Sequence, residues 1–313
     1  MSAIERLCLE EALLSHDPLK RSWAIVGTHE PRYNSYLPNP EFNTSNESCL
    51  IIMGVGAGGK PDSLLDIEKV KRDGVLAVKR FSGGGAIVVD DSTLWTTFIG
   101  RNDDFPHVDP HSESIMAWSA NDVFHKVFAN MKADALHHNI ISSEKKNMVM
   151  DTTKSCQAAL DNETSGKHPT EGNSTLQTTE MPDFALREND YVIGERKVGD
   201  NAQLIVDGAW LHHTTFLWDY EEENMSYLTL PSKRPEYRGE RDHDDFLVKL
   251  RSTYALGDDN SSKRAFFYHV KCAAFEAFEL EEVLLKDAMK VVDDLGGMKA
   301  WFEGGCRTKI LDL

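Results

Sequence analysis

Three consecutive glycines between two apolar runs restrict this chain more than any other feature. Val75-Leu76-Ala77-Val78 leads through Lys79-Arg80-Phe81-Ser82 into Gly83-Gly84-Gly85, and Ala86-Ile87-Val88-Val89 leads out. The flanking runs read as strands. Glycine loses more backbone freedom on ordering than any other residue, and one is enough for a tight turn. Three in a row imply a backbone that passes very close to something. From the residues alone two readings stay open: a structural hairpin, or a turn whose N–H groups cradle an anion, with the Ser82 hydroxyl and the Arg80 cation beside them. It is not a Walker loop, because no Gly-Lys-Ser/Thr follows. It is not a dinucleotide fingerprint, because a strand rather than a helix comes next.

Around this turn the pattern predicts an α+β fold, a mainly antiparallel sheet with packed helices. Ser2-x-x-Glu5 has the form of a capping box, and Ile4, Leu7, Cys8, Glu11 and Ala12 follow helical spacing, so a helix is expected near residues 3–15. Strands are expected at 49–53, 75–78, 86–89, 94–99, 191–193, 201–206 and 210–218, with Asp207-Gly208 as a hairpin turn between the last two. Helices are expected at 61–70, stopped by Gly74, at 110–131, opened by Asp109-Pro110, and at 241–251, 261–280 and 281–294. Residues 31–48 read as a loop, and the polar stretch 139–181 as a disordered or loosely folded insertion.

The net charge of −17 argues against a nucleic-acid binder, which needs basic surface to neutralise phosphates. There is no apolar run of membrane-spanning length. The N-terminus lacks the features of a secretory signal, which points to a cytoplasmic protein with an organellar location left open. Cys8, Cys49, Cys156, Cys272 and Cys306 are odd in number, widely spaced and without a C-x-x-C pair, so reduced thiols are expected and neither a zinc site nor a disulfide framework. His107, His111 and Asp242-His243-Asp244-Asp245 have no recognised ligand spacing; the last reads as the acidic start of a helix.

Two further stretches carry chemistry. Gly194-Glu195-Arg196-Lys197-Val198-Gly199 places a lysine in a glycine-flanked bend, where it is either a solvated surface group or a cation able to stabilise a phosphate and an oxyanion. In Leu211-His212-His213-Thr214-Thr215-Phe216 the two histidines lie on opposite faces of a strand, one toward a site or core and the other toward solvent.

Taken in order, Lys79-Arg80-Phe81-Ser82-Gly83-Gly84-Gly85-Ala86-Ile87, then Asn189-Asp190, then Gly194 to Ala202, then His212-His213, resemble the lipoate–protein ligase A group of the biotin/lipoate ligase superfamily, and most of all a eukaryotic lipoate-ligase-like subgroup. The chain departs from the family pattern at Lys79, Val89, Ser92, Thr93 and Thr214, positions expected near the pocket. The resemblance implies a ligase-type catalytic domain over residues 1–285 and a helical tail at 286–313 in place of a full accessory domain, so a separate accessory chain is a possible partner.

The family resemblance also implies roles. Arg80, Ser82, Gly83, Gly84, Gly85, Ala86, Ile87, Val88 and Lys197 would bind nucleotide. Lys197, Gly199, Ala202 and His213 would bind the lipoyl group. Asn189 and Asp190 would place the nucleotide's magnesium or the incoming amine. ATP with Mg would activate lipoate or octanoate as an acyl-AMP, and a lysine of a lipoyl-domain protein would accept the acyl group, with Lys197 the catalytic residue. A transferase using a preformed acyl donor and an inert acyl- or nucleotide-binding relative are the alternatives. The thiol of an acyl-cysteine mechanism is not apparent, since Cys156 lies in the polar insertion and Cys272 on an expected helix. The Gly-Arg-Gly-Arg string of biotin ligases is absent.

Overall fold

A computed structural model describes residues 1–30, 49–54, 61–160, 181–230 and 234–313, with backbone alone at 49, 53 and 143–160. The loop reading of 31–48, the 161–180 part of the polar insertion and the side chains of Cys49 and Cys156 lie outside the described residues.

The strands in chain order are β1 (Trp23–Thr28), β2 (Cys49–Met53), β3 (Leu76–Lys79), β4 (Ala86–Asp90), β5 (Thr93–Arg101), β6 (Phe184–Arg187), β7 (Asp190–Ile193), β8 (Arg196–Val206), β9 (Ala209–Leu217) and β10 (Lys309–Ile310). They form two sheets. One is antiparallel in the order β1-β5-β9-β8-β7-β6; the other runs β10-β3-β2-β4, with β2 and β3 parallel. The fold is therefore α+β and mainly antiparallel, as the alternating runs predict.

The main helices are α1 (Ala3–His16), α2 (Ser112–Trp118), α3 (His125–Leu160), α4 (Asp259–Ala277) and α5 (Leu285–Asp293). In α1 the expected capping box forms: the Ser2 hydroxyl accepts from Glu5 N, and the Glu5 carboxylate accepts from Ser2 N at 3.0 Å. α1 packs its Ile4, Leu7, Cys8 and Leu14 side between the facing surfaces of the two sheets, against Leu50, Val78, Ile99 and Leu211. The outer face of the larger sheet carries a second core, in which Phe98, Trp210 and Phe216 meet Trp118, Phe128 and Phe266 of the helical layer. The larger sheet is thus covered on both faces.

Tertiary contacts redraw several expected elements. The helix foreseen at 110–131 starts two residues later, at Ser112, with His111 as its cap, because His111 N donates to Asp109 O at 2.7 Å and this tight turn keeps Pro110 outside. After a π-turn at Ser119–Phe124 it continues as helical backbone to Leu160, into the polar stretch. The helix foreseen at 61–70 splits, with Asp66 capping a second turn that ends, as expected, on Gly74 at φ 65°. The helix foreseen at 241–251 is interrupted: Val248 N donates to Lys197 O at 2.9 Å and Leu250 N to Leu217 O at 2.8 Å, so this segment spends its N–H groups on the sheet. Finally, residues 286–313 are not an appended tail. α5 buries Ala288, Val291 and Val292 in the core that holds α1, and β10 adds a strand to β3, so this segment completes a sheet and a core.

Candidate active site

The glycine turn lies against the inner face of the larger sheet and is held by buried groups. Gly83 N donates to Gln203 O at 2.8 Å. The Arg80 guanidinium is buried inside the turn and donates to Gly83 O at 3.0 Å and Gly85 O at 3.1 Å. Burial lowers Arg80 to about 10, with Asp200 pulling the other way. Two of the glycines differ in what a side chain would meet. Gly84 sits at φ 116°, and a Cβ there would stand 2.3 Å from Arg80 Nη2. A Cβ on Gly85 would meet nothing within 4 Å, so this glycine leaves open space above the turn.

Beside the turn lies a cleft lined by Arg80, Gly85, Ile52, Ile87, Trp95, Asp200, Asn201, Ala202, His213 and Thr215. It is narrow: about 10 Å³ admits a water-sized body, roughly what one water needs. Among the described residues β4 is the edge strand of its sheet, so one row of its backbone groups faces away from β2. Side chains alternate along it: Ile87 lines the cleft, whereas Ala86 and Val88 pack in the core on the other face.

Lys197 reaches this side of the sheet through a bulge. Tyr191 pairs with Gly199 and Val192 with Lys197, which leaves Val198 as an extra residue in β8. Gly199 faces the helical layer, where a Cβ would lie 2.8 Å from Phe216 Cδ1. In a regular strand Lys197, two residues away, would share that face; the bulge turns it to the other. There Lys197 Nζ pairs with Asp190 Oδ1 at 2.9 Å and with Asp200 Oδ1 at 2.5 Å. Burial alone would lower the ammonium, but Asp200 and then Asp190 outweigh it, and Lys197 stays charged above its ordinary range. Asp190 is held in turn by Tyr237 Oη, which donates to its Oδ2 at 2.8 Å. Lys197 itself does not line the cleft; Asp200 stands between.

The paired histidines do fall on opposite faces, but neither meets solvent, because both faces are covered. His213 points toward the cleft: Ser82 Oγ lies 3.0 Å from its Nε2, and its Nδ1 lies 3.1 Å from Glu10 Oε2. His212 points into the helical layer, where Gln203 Nε2 donates to its Nδ1 at 3.0 Å and its Nε2 faces Ser119 Oγ at 3.0 Å. Burial, and then His213, pushes His212 down to about 3, so it is a neutral structural group.

The structure thus gathers Arg80, Gly85, Ile87, Ala202 and His213 around one cleft with Lys197 and Asp190 beside it. Ser82 is buried and turned to His213 rather than into the cleft. Gly199 packs against Phe216 instead of lining the cleft. Asn189 is exposed in the β6–β7 turn, where its carbonyl accepts from Asn201 Nδ2 at 3.1 Å. None of Lys79, Val89, Ser92, Thr93 or Thr214 lines the cleft; Val89 is in the α1 core and Thr214 on the helical face, so these departures from the pattern lie off the pocket walls. Trp95, Asp200, Tyr237 and Glu10 were not singled out from the sequence. Asp200, three residues after Lys197 in the same glycine-flanked bend, had a local signal; the others reach the site from elsewhere in the chain.

The lipoyl protein ligase A/B catalytic domain family matches residues 43–255, and the chain belongs to that family. It is 26% identical over 234 residues to a Plasmodium falciparum protein named inactive lipoate–protein ligase 2, covering 71% of this chain and 52% of that protein, so it spans about half the length of that relative. Among solved structures it resembles lipoate–protein ligase A bound with ATP (14% identity, TM-score 0.52, 94% of this chain and 89% of that one). It also resembles P. falciparum LipL1 in complex with lipoate (15% identity, TM-score 0.53, 100% of this chain and 74% of that one). At these identities the structural likeness establishes the shared fold.

Proposed function

We propose that this chain binds lipoate or octanoate with ATP, forms the acyl-AMP, and passes the acyl group to a lysine of a lipoyl-domain protein. One observation carries this reading: a bulge brings Lys197 to the cleft face of the sheet, behind Asp200, and two carboxylates keep it charged. An ammonium has three N–H donors, and two meet Asp190 and Asp200. The third serves a ligand oxygen, and displacement of Asp200 by a phosphate frees a second. The same cation then faces the negative charge on the α-phosphate in the first step and on the acyl carbonyl in the second. Ile52, Ile87 and Trp95 offer the apolar wall for the acyl chain, which must part the narrow cleft to enter. No group of three or more His, Cys, Asp or Glu among the described residues is placed to hold a metal. Magnesium in this reading arrives on the nucleotide's phosphates. No described helix is long and apolar enough to cross a membrane.

A second reading has support from the relative named inactive: the chain binds acyl-adenylate without making it. The test separates them. The protein is incubated with ATP, magnesium and lipoate or octanoate, acyl-AMP is followed by mass spectrometry, and transfer to a lipoyl domain is followed with and without added lipoyl-AMP. Formation and transfer are expected, with Lys197→Ala lowering formation roughly a hundredfold or more while the fold is kept. Transfer only from added lipoyl-AMP would select the transferase; binding without either step would select the inert relative.

A further inference from the structure

We propose that Glu10, on α1 and outside every motif that marks the site, is a positioning residue: it holds His213 in one tautomer and through it ties Ser82, and with it the glycine turn, in the geometry that receives the acyl-adenylate. What the cleft receives rests on the function proposed above; the hydrogen-bond chain stands on geometry alone.

Glu10 is fully buried between α1 and the sheet. Its Oε1 accepts from Arg6 Nε at 2.7 Å and from Thr97 Oγ1 at 2.6 Å, and its Oε2 faces His213 Nδ1 at 3.1 Å. Arg6 is buried too, with Nη2 donating to Ile25 O at 2.9 Å and its guanidinium 5.0 Å from the Trp95 ring centre. An ionised carboxylate only accepts. Burial works against the charge, but Arg6 and the His213 contact outweigh it and keep Glu10 ionised. His213 Nδ1 must therefore carry the proton; burial lowers His213 against the pull of Glu10 and keeps the ring neutral, so Nε2 is left bare and the Ser82 hydroxyl must donate to it across 3.0 Å. One proton arrangement satisfies the whole chain Arg6–Glu10–His213–Ser82. A buried ion pair is a poor way to gain stability, since apolar side chains of like volume do as well. What this one supplies is direction: Ser82 begins the run Ser82-Gly83-Gly84-Gly85, and His213, which holds it, lines the cleft.

Substituting the amide for the carboxylate tests this. In Glu10→Gln the side-chain oxygen stays with its two donors, Arg6 and Thr97, so the NH₂ faces His213 Nδ1. The ring must then accept there, and its proton moves to Nε2. Imidazole ¹⁵N spectra of the wild-type protein are expected to show His213 protonated at Nδ1, and those of Glu10→Gln protonated at Nε2. Thr97→Val, which leaves the carboxylate in place, should keep the wild-type pattern. Affinity for a non-hydrolysable lipoyl-adenosine sulfamate, measured by calorimetry, should fall roughly tenfold or more in Glu10→Gln, the scale on which losing an orienting partner acts, and stay near wild type in Thr97→Val. A wild-type His213 protonated at Nε2 would overturn the proposal without need of any variant. So would a flipped tautomer that left affinity unchanged. If the wild-type protein bound no analogue at all while the tautomers behaved as stated, the proposed ligand would be wrong and the role of Glu10 in orienting His213 would stand.

Discussion

His212 and His213 are neighbours in sequence and serve different layers. His213 keeps its proton on the side of Glu10, and His212 accepts from Gln203 at the equivalent nitrogen. A third buried histidine, His29, accepts from Ala3 N at 3.0 Å and is pushed down to about 4, chiefly by burial. His29 and His212 therefore stay neutral in the folded state where the unfolded chain takes up protons. The unfolded state binds more protons below about pH 6.5, so stability is full above that pH and falls as pH drops toward the folded values. Urea unfolding at pH 7 and pH 5.5 should show a loss of about 2–3 kcal/mol from these two groups. Arg6 gives a second prediction at this scale. Arg6→Ala strips the cation from a fully buried carboxylate and should cost about 3–5 kcal/mol in denaturant unfolding. Single residues were legible only in part. The strand pattern showed that the two histidines part company; it could not show that both faces were roofed, because the covering helices come from distant segments. Glu10 gave no sign, since a glutamate on an amphipathic helix is ordinarily a solvated one.

The element on which the proposed chemistry depends is the bulge in β8. One extra residue carries Lys197 from the helical face to the cleft face, and periodicity alone would have left it beside Gly199. The glycine turn shows how much of an element can be inferred beforehand. The run of three promised a close approach. In the structure the close approach at Gly84 is to Arg80, and the open side belongs to Gly85. The two should therefore respond differently to the same substitution. Gly84→Ala forces a side chain into a left-handed backbone and against Arg80, and should destabilise by about 1–3 kcal/mol. Gly85→Ala should leave the melting temperature close to wild type, because its methyl group meets nothing, and should weaken binding of the adenylate analogue if the ligand lies on the turn as proposed. Thermal unfolding and calorimetry on the pair check this. The interrupted helix at 241–251 is the complementary case: its local pattern is helical, yet its N–H groups are worth more on Lys197 and Leu217 of the sheet.

Across the whole molecule, the two ends of the chain meet around α1. Cys8 Sγ lies 3.6 Å from Cys306 Sγ, Trp301 Nε1 donates to Cys8 O at 2.9 Å, and Arg307 Nε pairs with Glu11 Oε1 at 2.6 Å. The last segment therefore braces the helix that carries Glu10. Ending the chain before Leu285 should expose the α1 core and unpair β3, leaving a protein that is insoluble or loses its cooperative unfolding transition by circular dichroism. A dispensable tail would come off without either effect. The sequence by itself determined the α+β class, the capped first helix, most strand positions and, through four motifs in order, the family. All of these are written in local spacing, where neighbouring residues suffice. Tertiary structure alone decided which face Lys197 takes, that both histidines are buried, that Glu10 stands behind His213, and that the C-terminal segment is part of the core. Each of these depends on contacts between residues far apart in the chain, and no local period records them. For the glycine turn the two sources combine: spacing announced a close approach, and the buried partners Arg80 and His213 show how it is held.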